Sequence, residues 1–396
     1  MTHSEAVIPR LQDIVRVMPE TAPETKINNV VDIFKKDPNI IALPITDQGS
    51  FQGIISRKAL FFQHLARPFA LEIYGKKPIR ELMDEHPVAM APDLDVTTAL
   101  VQLLEVDALL QTDAFPIVAQ GQCLGIVSVS DLMMKISESQ TALLDALKNM
   151  SARIRDEVMK ASEVQQDLLP AAEYCFGPVT VSAGIRTSTE IGGDFYDYFE
   201  LEDGRLGLLV ADVSGHGIQS GMVTTAAKAS LHTLIGQGIT TPAVLLHFMN
   251  NAILATARQT LLMTCLIAII DLPKGEVVMA NAGHNFPYLI GGKTGRAVRL
   301  STAPGFPLGF EQDCLYEELS TPFSTGDTLF LYTDGIVECI NDRDEEFGYE
   351  RLESFLNEHA SSRPRDIKQN LLETAISFMG GNSFDDDVTL LVAACR

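Results

Sequence analysis

Four aspartates stand where a carboxylate is costly to bury. Asp212 and Asp334 each close an apolar run of strand type, Asp386 precedes another such run, and Asp194 follows two glycines. If these strands share one sandwich, their ends can converge, and carboxylates gathered without basic partners repel one another. A divalent cation relieves that repulsion, and oxygen ligands favour Mg²⁺ or Mn²⁺ over zinc. The four aspartates therefore predict a divalent metal site.

The chemistry expected of such a site is hydrolysis of a phosphate ester. Two cations that share a carboxylate can activate a water and hold a phosphoryl oxygen. Phosphoryl transfer needs positioning and charge stabilisation above all, which this site would supply. Taken alone, Asp334-Gly335 is typical of a turn, as Asp203-Gly204 is, so the prediction depends on the whole ordered set.

Six motifs that contain these aspartates occur in order along the second half of the chain. They are Gln165-Gln-Asp-Leu-Leu-Pro170, Ile191-Gly-Gly-Asp-Phe-Tyr-Asp197, Ala211-Asp-Val-Ser-Gly-His-Gly217, Asn281-Ala-Gly-His284, Tyr332-Thr-Asp-Gly-Ile336 and Asp386-Asp-Val-Thr389. Over roughly residues 165–396 the sequence resembles the sporulation stage II E-type branch of the type 2C, metal-dependent protein phosphatases. Six motifs in order make this resemblance specific.

The resemblance implies a β-sandwich flanked by helices, with two Mn²⁺ or Mg²⁺ ions at its edge. It implies that Asp212 bridges both ions, that the Val213 carbonyl binds one, and that Asp334 and Asp386 bind the other. Asp194 would support the site directly or through water. The family's implied substrate is a phosphorylated anti-sigma-factor antagonist. The phosphate-binding arginine of eukaryotic type 2C enzymes has no clear counterpart here.

The first half of the chain contains an internal repeat. Leu43-Pro-Ile-Thr-Asp recurs as Phe115-Pro-Ile-Val-Ala, and in each copy a glycine follows the proline by nine positions. Over roughly residues 8–136 this repeat resembles a pair of cystathionine-β-synthase (CBS) domains. Such pairs commonly bind adenine nucleotides, and the second copy keeps the matching Ser128 and Asp131, whereas the first has Ala59 in place of the aspartate. The alternative interpretation is that Ser128 and Asp131 only cap the following helix.

Residues 137–169 contain neither Pro nor Gly and predict one long helix. Apolar residues fall on the a and d positions of a heptad, although Glu157 interrupts the seam. A dimerising coiled coil and a single helix packed on a neighbouring domain are both compatible with this pattern, and we expect the dimer. Pro170 is expected to end the helix.

Composition excludes several classes of protein. The formal net charge of −22 argues against a nucleic-acid partner, because phosphate backbones require clustered Lys and Arg. The sequence contains no run of eighteen apolar residues, so we predict no membrane span. The six cysteines form no Cys-x-x-Cys pair, so a zinc site is not expected, and their apolar surroundings suit a reducing, cytoplasmic compartment.

Together these features predict an α+β multidomain protein. We expect tandem CBS domains over residues 8–136, a helical linker over 137–169 and a β-sandwich phosphatase domain over 170–396. The predicted function is metal-dependent hydrolysis of phosphoserine or phosphothreonine by direct attack of water, regulated by the CBS pair. Two alternatives remain at this stage: a nucleotide-sensing adaptor without catalysis, and a hydrolase of small phosphate esters.

Overall fold

The structure is a computed structural model that describes residues 8–257 and 260–396, and the chain divides into two compact units between Ala152 and Arg153. Across the described residues, no helix is both long enough and apolar enough to cross a bilayer. All six cysteines are free thiols.

The N-terminal unit is built from two copies of one motif, a helix followed by an antiparallel hairpin. In chain order its elements are α1 (Ile27–Lys36), β1 (Ala42–Asp47), β2 (Ser50–Ser56), a π-helical turn (Ala59–His64), α2 (Ala70–Tyr74), α3 (Val96–Val106), β3 (Ala114–Ala119) and β4 (Gln122–Ser128), with short 3₁₀ turns at Leu11–Asp13 and Ile79–Glu81. The hairpins β1–β2 and β3–β4 have the same register. Each has a bulge at the equivalent place, between Ile45 and Thr46 in the first and between Ile117 and Val118 in the second. The two copies share a small apolar cluster of Ala42, Ile54, Ala114 and Ile126, so each hairpin covers an apolar face of the other.

A single helix, α4 (Val129–Asp167), follows the second hairpin. The predicted helix is therefore present, and it begins earlier than expected because Ser128 caps it: the Ser128 hydroxyl accepts a hydrogen bond from the Asp131 N–H at 2.9 Å. The apolar side chains at the predicted heptad positions are largely exposed, among them Leu147 at 55% and Ile154 at 53%.

The C-terminal unit consists of two six-stranded sheets. Its strands are β5 (Glu173–Phe176), β6 (Val179–Arg186), β7 (Phe195–Glu200), β8 (Leu206–Val213), β9 (Met263–Asp271), β10 (Glu276–Ala282), β11 (Tyr288–Gly291), β12 (Arg296–Arg299), β13 (Pro304–Gly305), β14 (Glu318–Pro322), β15 (Thr328–Tyr332) and β16 (Val388–Cys395). One sheet has the order β13-β10-β9-β8-β7, with β14 also paired to β10, and the other has the order β12-β11-β15-β16-β6-β5. The apolar run that Asp212 closes forms β8, and the run that follows Asp386 forms β16.

Buried side chains from both sheets fill the space between them, including Val181, Leu208, Ala268, Leu331 and Leu391. Helices cover the outer faces: α5 (Ile218–Gly236) and α6 (Pro242–Ala257) pack on the β7–β10 side, while the short α7 (Gly335–Glu338), α8 (Gly348–Glu358) and α9 (Pro364–Phe378) pack on the β15–β16 side. The predicted β-sandwich flanked by helices is confirmed.

Candidate functional site

The four predicted aspartates lie at the same end of the sandwich. Asp212 is the penultimate residue of β8, and Asp194 directly precedes β7, which pairs with β8 through Phe195 and Ala211. In the other sheet, Asp334 follows the end of β15, and Asp386 precedes the start of its neighbour β16. Each sheet therefore contributes two carboxylates to one edge.

Asp194 is buried and held by two threonine hydroxyls. Its Oδ2 accepts hydrogen bonds from Thr333 Oγ1 and Thr389 Oγ1, each at 2.7 Å. The two threonines come from the β15 and β16 side, so these bonds join the two sheets directly at the site. Burial, followed by the charge of Asp212, raises the pKa of Asp194 well above its ordinary value, and the two hydroxyls oppose that rise.

The charged form of the Asp212 carboxylate is disfavoured in this site. Burial, followed by the charges of Asp334, Asp386 and Asp387, raises the pKa of Asp212 to about 7. A carboxylic acid whose pKa is raised by burial and by neighbouring carboxylates is typical of a site built to receive positive charge. This shift also shows that the predicted residues act on one another electrostatically.

Asp334 and Asp386 occupy the more open part of the cluster. Asp334 is half-buried at the start of α7, and burial, followed by the charge of Asp386, raises its pKa. Asp386 is exposed, and its Oδ1 accepts a hydrogen bond from the Asp387 N–H at 2.7 Å. The exposed side of the cluster is thus the side from which a substrate can approach.

These carboxylates lack protein cations. Within the described part of the chain, no Lys, Arg or His nitrogen lies within 4.0 Å of any of the four predicted carboxylates. Nor do three His, Cys, Asp or Glu side chains among the described residues close around one point as a metal cage. Mg²⁺ keeps several waters and needs only one or two direct carboxylates, so an open, uncompensated set of acids fits hydrated divalent cations.

The backbone beside Asp194 lies very close to the loop that follows Asp212. A Cβ on Gly193 would lie 2.7 Å from the carbonyl oxygens of both Val213 and Gly215, so any other residue would push the two loops apart. The Val213 N–H in turn donates to the Gly193 carbonyl at 3.2 Å. The Val213 carbonyl, the predicted backbone ligand, therefore lies against the loop that carries Asp194.

Asp387 holds that loop in place, a role that the sequence did not reveal. Its Oδ1 accepts from the backbone N–H of Ser188 at 2.7 Å and from the Ser188 hydroxyl at 3.0 Å, while its Oδ2 accepts from the Gly193 N–H at 2.6 Å. Asp387 is only 4% exposed. A buried carboxylate with this many donors fixes the position of the 188–194 loop and hence of Asp194.

Asp197 belongs to the same sequence motif as Asp194 but lies outside the cluster. Its buried carboxylate pairs with Lys228 Nζ at 3.0 Å and with His232 Nε2 at 2.7 Å, both from α5. Lys228 and His232 are four residues apart and so share one face of that helix. Asp197 therefore attaches α5 to the sheet.

His284 supports the strand that leads to Asp334. Its Nε2 lies 3.0 Å from the Tyr332 carbonyl and its Nδ1 lies 2.7 Å from Thr264 Oγ1, which makes Nε2 the donor and Nδ1 the acceptor. Burial lowers the pKa of His284 to about 4, so the ring stays neutral near pH 7. It is a buried structural histidine that joins β9 to the end of β15.

The linker helix reaches the same loop through one side chain. Gln165, in the last turn of α4, donates from Nε2 to the Gly192 carbonyl at 2.8 Å and to Thr224 Oγ1 at 3.3 Å. Gly192 precedes Gly193 and Asp194. The end of the helix is therefore hydrogen-bonded to the loop that positions a predicted ligand.

In the N-terminal unit, Ser128 and Asp131 lie together at the start of α4. Ser128 caps the helix, as the alternative interpretation predicted, and Asp131 Oδ1 pairs with Arg16 at 2.7 Å. Asp131 Oδ2 is buried without a hydrogen-bond partner among the described residues. A cavity of about 390 Å³ opens there, lined also by Lys135 and Glu138.

The equivalent place in the first repeat has a larger cavity of about 520 Å³, lined by Ser56, Lys58, Ala59 and Asp84 among others. Ala59 supplies no acceptor at the position that Asp131 occupies in the second repeat. Lys58 donates instead to Asp113 at 3.1 Å. The cavity at the second repeat is lined by Asp131, whose Oδ2 is buried without a hydrogen-bond partner among the described residues.

Comparison with known families matches both halves of the chain. Residues 202–396 match the family described as Stage II sporulation protein E (SpoIIE), and residues 79–138 match the CBS domain. These matches confirm the two resemblances predicted from the sequence motifs. The CBS match covers the second of the two repeats.

Two curated relatives and one solved structure agree with this. The chain is 26% identical over 261 residues to phosphoserine phosphatase RsbU of Bacillus subtilis (strain 168), a match that covers 65% of this chain and 74% of the relative. It is 28% identical over 207 residues to phosphoserine phosphatase RsbP of the same strain, covering 49% of this chain and 47% of the relative. The solved SiaA-PP2C domain of Pseudomonas aeruginosa superposes with a TM-score of 0.54 at 23% identity, covering 61% of this chain and 97% of that domain, and shows the same fold.

Proposed function

Because residues 202–396 match the Stage II sporulation protein E family and residues 79–138 match the CBS domain, we propose that the chain hydrolyses phosphoserine or phosphothreonine in a protein substrate with the help of two divalent cations. The observation that carries the metal assignment is the uncompensated cluster around Asp212, whose pKa is raised to about 7 by burial and by its neighbours. Repulsion of this kind is relieved by divalent cations, which carry two positive charges each.

The residues that would hold the cations are Asp194, Asp212, Asp334, Asp386 and the Val213 carbonyl. Bound Mn²⁺ or Mg²⁺ would supply positive charge for the phosphoryl oxygens and acidify water. Without that charge the cluster repels a phosphate dianion, so substrate binding depends on it. Water then attacks phosphorus directly, the P–O bond to the serine breaks, and the serine leaves as an alcohol.

The chain's own part in this chemistry is to fix the carboxylates. Thr333 and Thr389 hold Asp194 in one orientation, and Asp387 holds the loop before it. The exposed side of Asp386 leaves room for a phosphoserine side chain to enter. Positioning of this kind accounts for much of the rate acceleration in phosphoryl transfer.

The substrate class that we propose is a phosphorylated anti-sigma-factor antagonist. The support is the order of the six motifs, which resembles phosphatases of that branch, and the similarity to two proteins named phosphoserine phosphatase. A phosphoprotein is favoured over a small ester because Asp386, on one side of the acidic cluster, is exposed and can be approached by a large substrate.

The first test is phosphate release from a phosphoserine protein by the full chain, with Mn²⁺ and with excess EDTA. We expect release with Mn²⁺ and a loss of at least a hundredfold with EDTA, because the carboxylates alone repel the substrate. Mn²⁺ added after EDTA should restore release. No release with either Mn²⁺ or Mg²⁺ would favour the adaptor, and faster release from small esters than from the phosphoprotein would favour a small-ester hydrolase.

We further propose that an adenine nucleotide binds at the second repeat and regulates the phosphatase domain. The support is the partnerless Asp131 Oδ2, an acceptor suited to a ribose hydroxyl, beside a cavity that also carries Arg16 and Lys135. The unbroken helix α4 and the Gln165 bond to Gly192 provide a physical connection to the catalytic loop. The exposed apolar side chains of α4 support a homodimer formed through this helix.

One experiment on the full chain addresses this regulation. AMP, ADP and ATP are each added at millimolar concentration, and phosphate release and sedimentation are measured. We expect at least a threefold change in rate for one nucleotide, its loss in Asp131→Ala, and a dimer at micromolar concentration. Asp145→Ala, which changes an exposed aspartate of the same helix, is the matched control. A rate that no nucleotide alters would refute the sensing role, and a monomer would refute the dimer.

A further inference from the structure

Arg299 is a cation held between two aromatic rings near the carboxylate cluster. It is the last residue of β12 and lies opposite Tyr288 of β11. Its guanidinium carbon lies 5.6 Å from the centre of the Phe286 ring and 5.7 Å from that of Tyr349. Contacts of this kind hold a guanidinium group in place while they leave its N–H donors available.

No acidic partner occupies those donors. Among the described residues, no carboxylate oxygen lies within 4.0 Å of an Arg299 nitrogen, whereas Arg205 and Arg363 each pair with an aspartate. Glu353, which lies in the same region, accepts from the Tyr288 hydroxyl at 2.9 Å. Among the described arginines, Arg57 and Arg351 each lie over one aromatic ring, whereas Arg299 lies over two.

The position of Arg299 places it beside the active edge. Phe286 comes two residues after His284, and His284 Nε2 donates to the Tyr332 carbonyl. Tyr332 in turn comes two residues before Asp334. Tyr349, whose ring lies against Arg299, is also affected by the acidic residues. Burial, followed by the charges of Asp334 and Glu338, raises the pKa of Tyr349, and Arg299 opposes that rise. In the sheet, Arg299 lies opposite Tyr288, whose ring centre lies 6.0 Å from that of Tyr332, two residues before Asp334.

Asn285, the residue before Phe286, carries a side-chain amide donor. Its Nδ2 is buried and has no hydrogen-bond partner among the described residues. Asn285 lies between His284 and Phe286, on the segment that carries one of the rings stacked against Arg299. Because that amide is buried, the group offered to an incoming carboxylate is the guanidinium of Arg299, which has no carboxylate partner among the described residues.

We propose that Arg299 is a specificity-determining residue, which binds an acidic side chain next to the phosphoserine of the protein substrate. This inference rests on the proposed phosphatase function. The carboxylate cluster would hold the cations that bind the phosphate. Arg299 lies on β12, two strands from β15, which leads to Asp334, so it would contact a neighbouring residue of the substrate. It also offsets the repulsion that a strongly acidic protein exerts on an acidic segment.

The test compares three substrates at saturating Mn²⁺: p-nitrophenyl phosphate, a phosphoserine peptide with glutamates beside the phosphoserine, and the same peptide with glutamines. We expect Arg299→Ala to lower kcat/KM about tenfold on the glutamate peptide, mainly through KM, because one charge pair is lost. Activity on the other two substrates should stay within twofold, and Arg299→Lys should recover part of the loss.

Arg296→Ala, at the exposed first position of the same strand, is the matched control and should behave as wild type. Equal loss on all three substrates, or no loss on the glutamate peptide, would overturn the proposal. If the wild type releases no phosphate from any substrate, the proposed function fails instead. Binding of the two peptides by fluorescence anisotropy, in wild type and Arg299→Ala, then still decides the role of Arg299.

Discussion

Replacing Asp212 with asparagine is expected to lower phosphate release about a thousandfold or more while the fold becomes slightly more stable. Asp212 is one of the residues that would hold the cations, so the substitution would remove a negative charge on which their binding depends. The same charge is costly in the metal-free protein, where burial and three neighbouring aspartates raise its pKa to about 7. Activity and stability should therefore change in opposite directions.

The measurements are kcat/KM on a phosphoserine protein with Mn²⁺ and the melting temperature in EDTA at pH 8. Above pH 7 the wild-type carboxylate is charged, which is where its destabilising effect is largest. Asp203→Asn changes an exposed aspartate of the same domain that pairs with Arg205, and it should alter neither quantity much. Wild-type activity in Asp212→Asn would remove the metal assignment.

Replacing Asp387 with asparagine is expected to destabilise the domain by about 2–4 kcal/mol and to reduce activity about 10- to 100-fold. Asparagine keeps one carbonyl oxygen and turns the other into a donor. That donor would face the N–H groups of Ser188 or Gly193, which now share the two carboxylate oxygens. The loop before Asp194 would lose its anchor, which accounts for both effects.

The adjacent aspartate provides the control. Asp386 is exposed and accepts only a local hydrogen bond, so Asp386→Asn should leave the free energy of unfolding within about 0.5 kcal/mol of wild type. As a proposed ligand, it should nevertheless lower activity strongly. Urea unfolding and phosphate release measured on both variants separate the two roles, and an Asp387→Asn protein as stable as wild type would contradict the anchor.

Local sequence signals predicted the strands and placed the aspartates at their ends. The apolar runs beside Asp212, Asp334 and Asp386 form β8, β15 and β16, as predicted. What these signals could not predict is which hydrogen bonds form between distant segments. Thr333 and Thr389 were visible in the motifs, but their bonds to Asp194 depend on the pairing of the two sheets.

Asp197 and Asp387 also show that local sequence signals do not predict the partners of a side chain. Both stood beside predicted ligands in sequence. Asp197 pairs with Lys228 and His232 and so holds α5. Asp387 accepts from the N–H groups of Ser188 and Gly193 and so holds the loop before Asp194. A motif gives the chemical type of each residue, and only the three-dimensional neighbours decide its partner.

The division of the four carboxylates between two sheets also has a consequence for folding. Asp386 lies 192 residues further along the chain than Asp194, so the site forms only when one of the longest-range contacts of the domain is made. Closing so long a loop is entropically costly and slow, and it comes late in folding. A partly folded chain with one sheet in place carries only half of the acids, and so phosphatase activity appears only when the folding of the domain is complete.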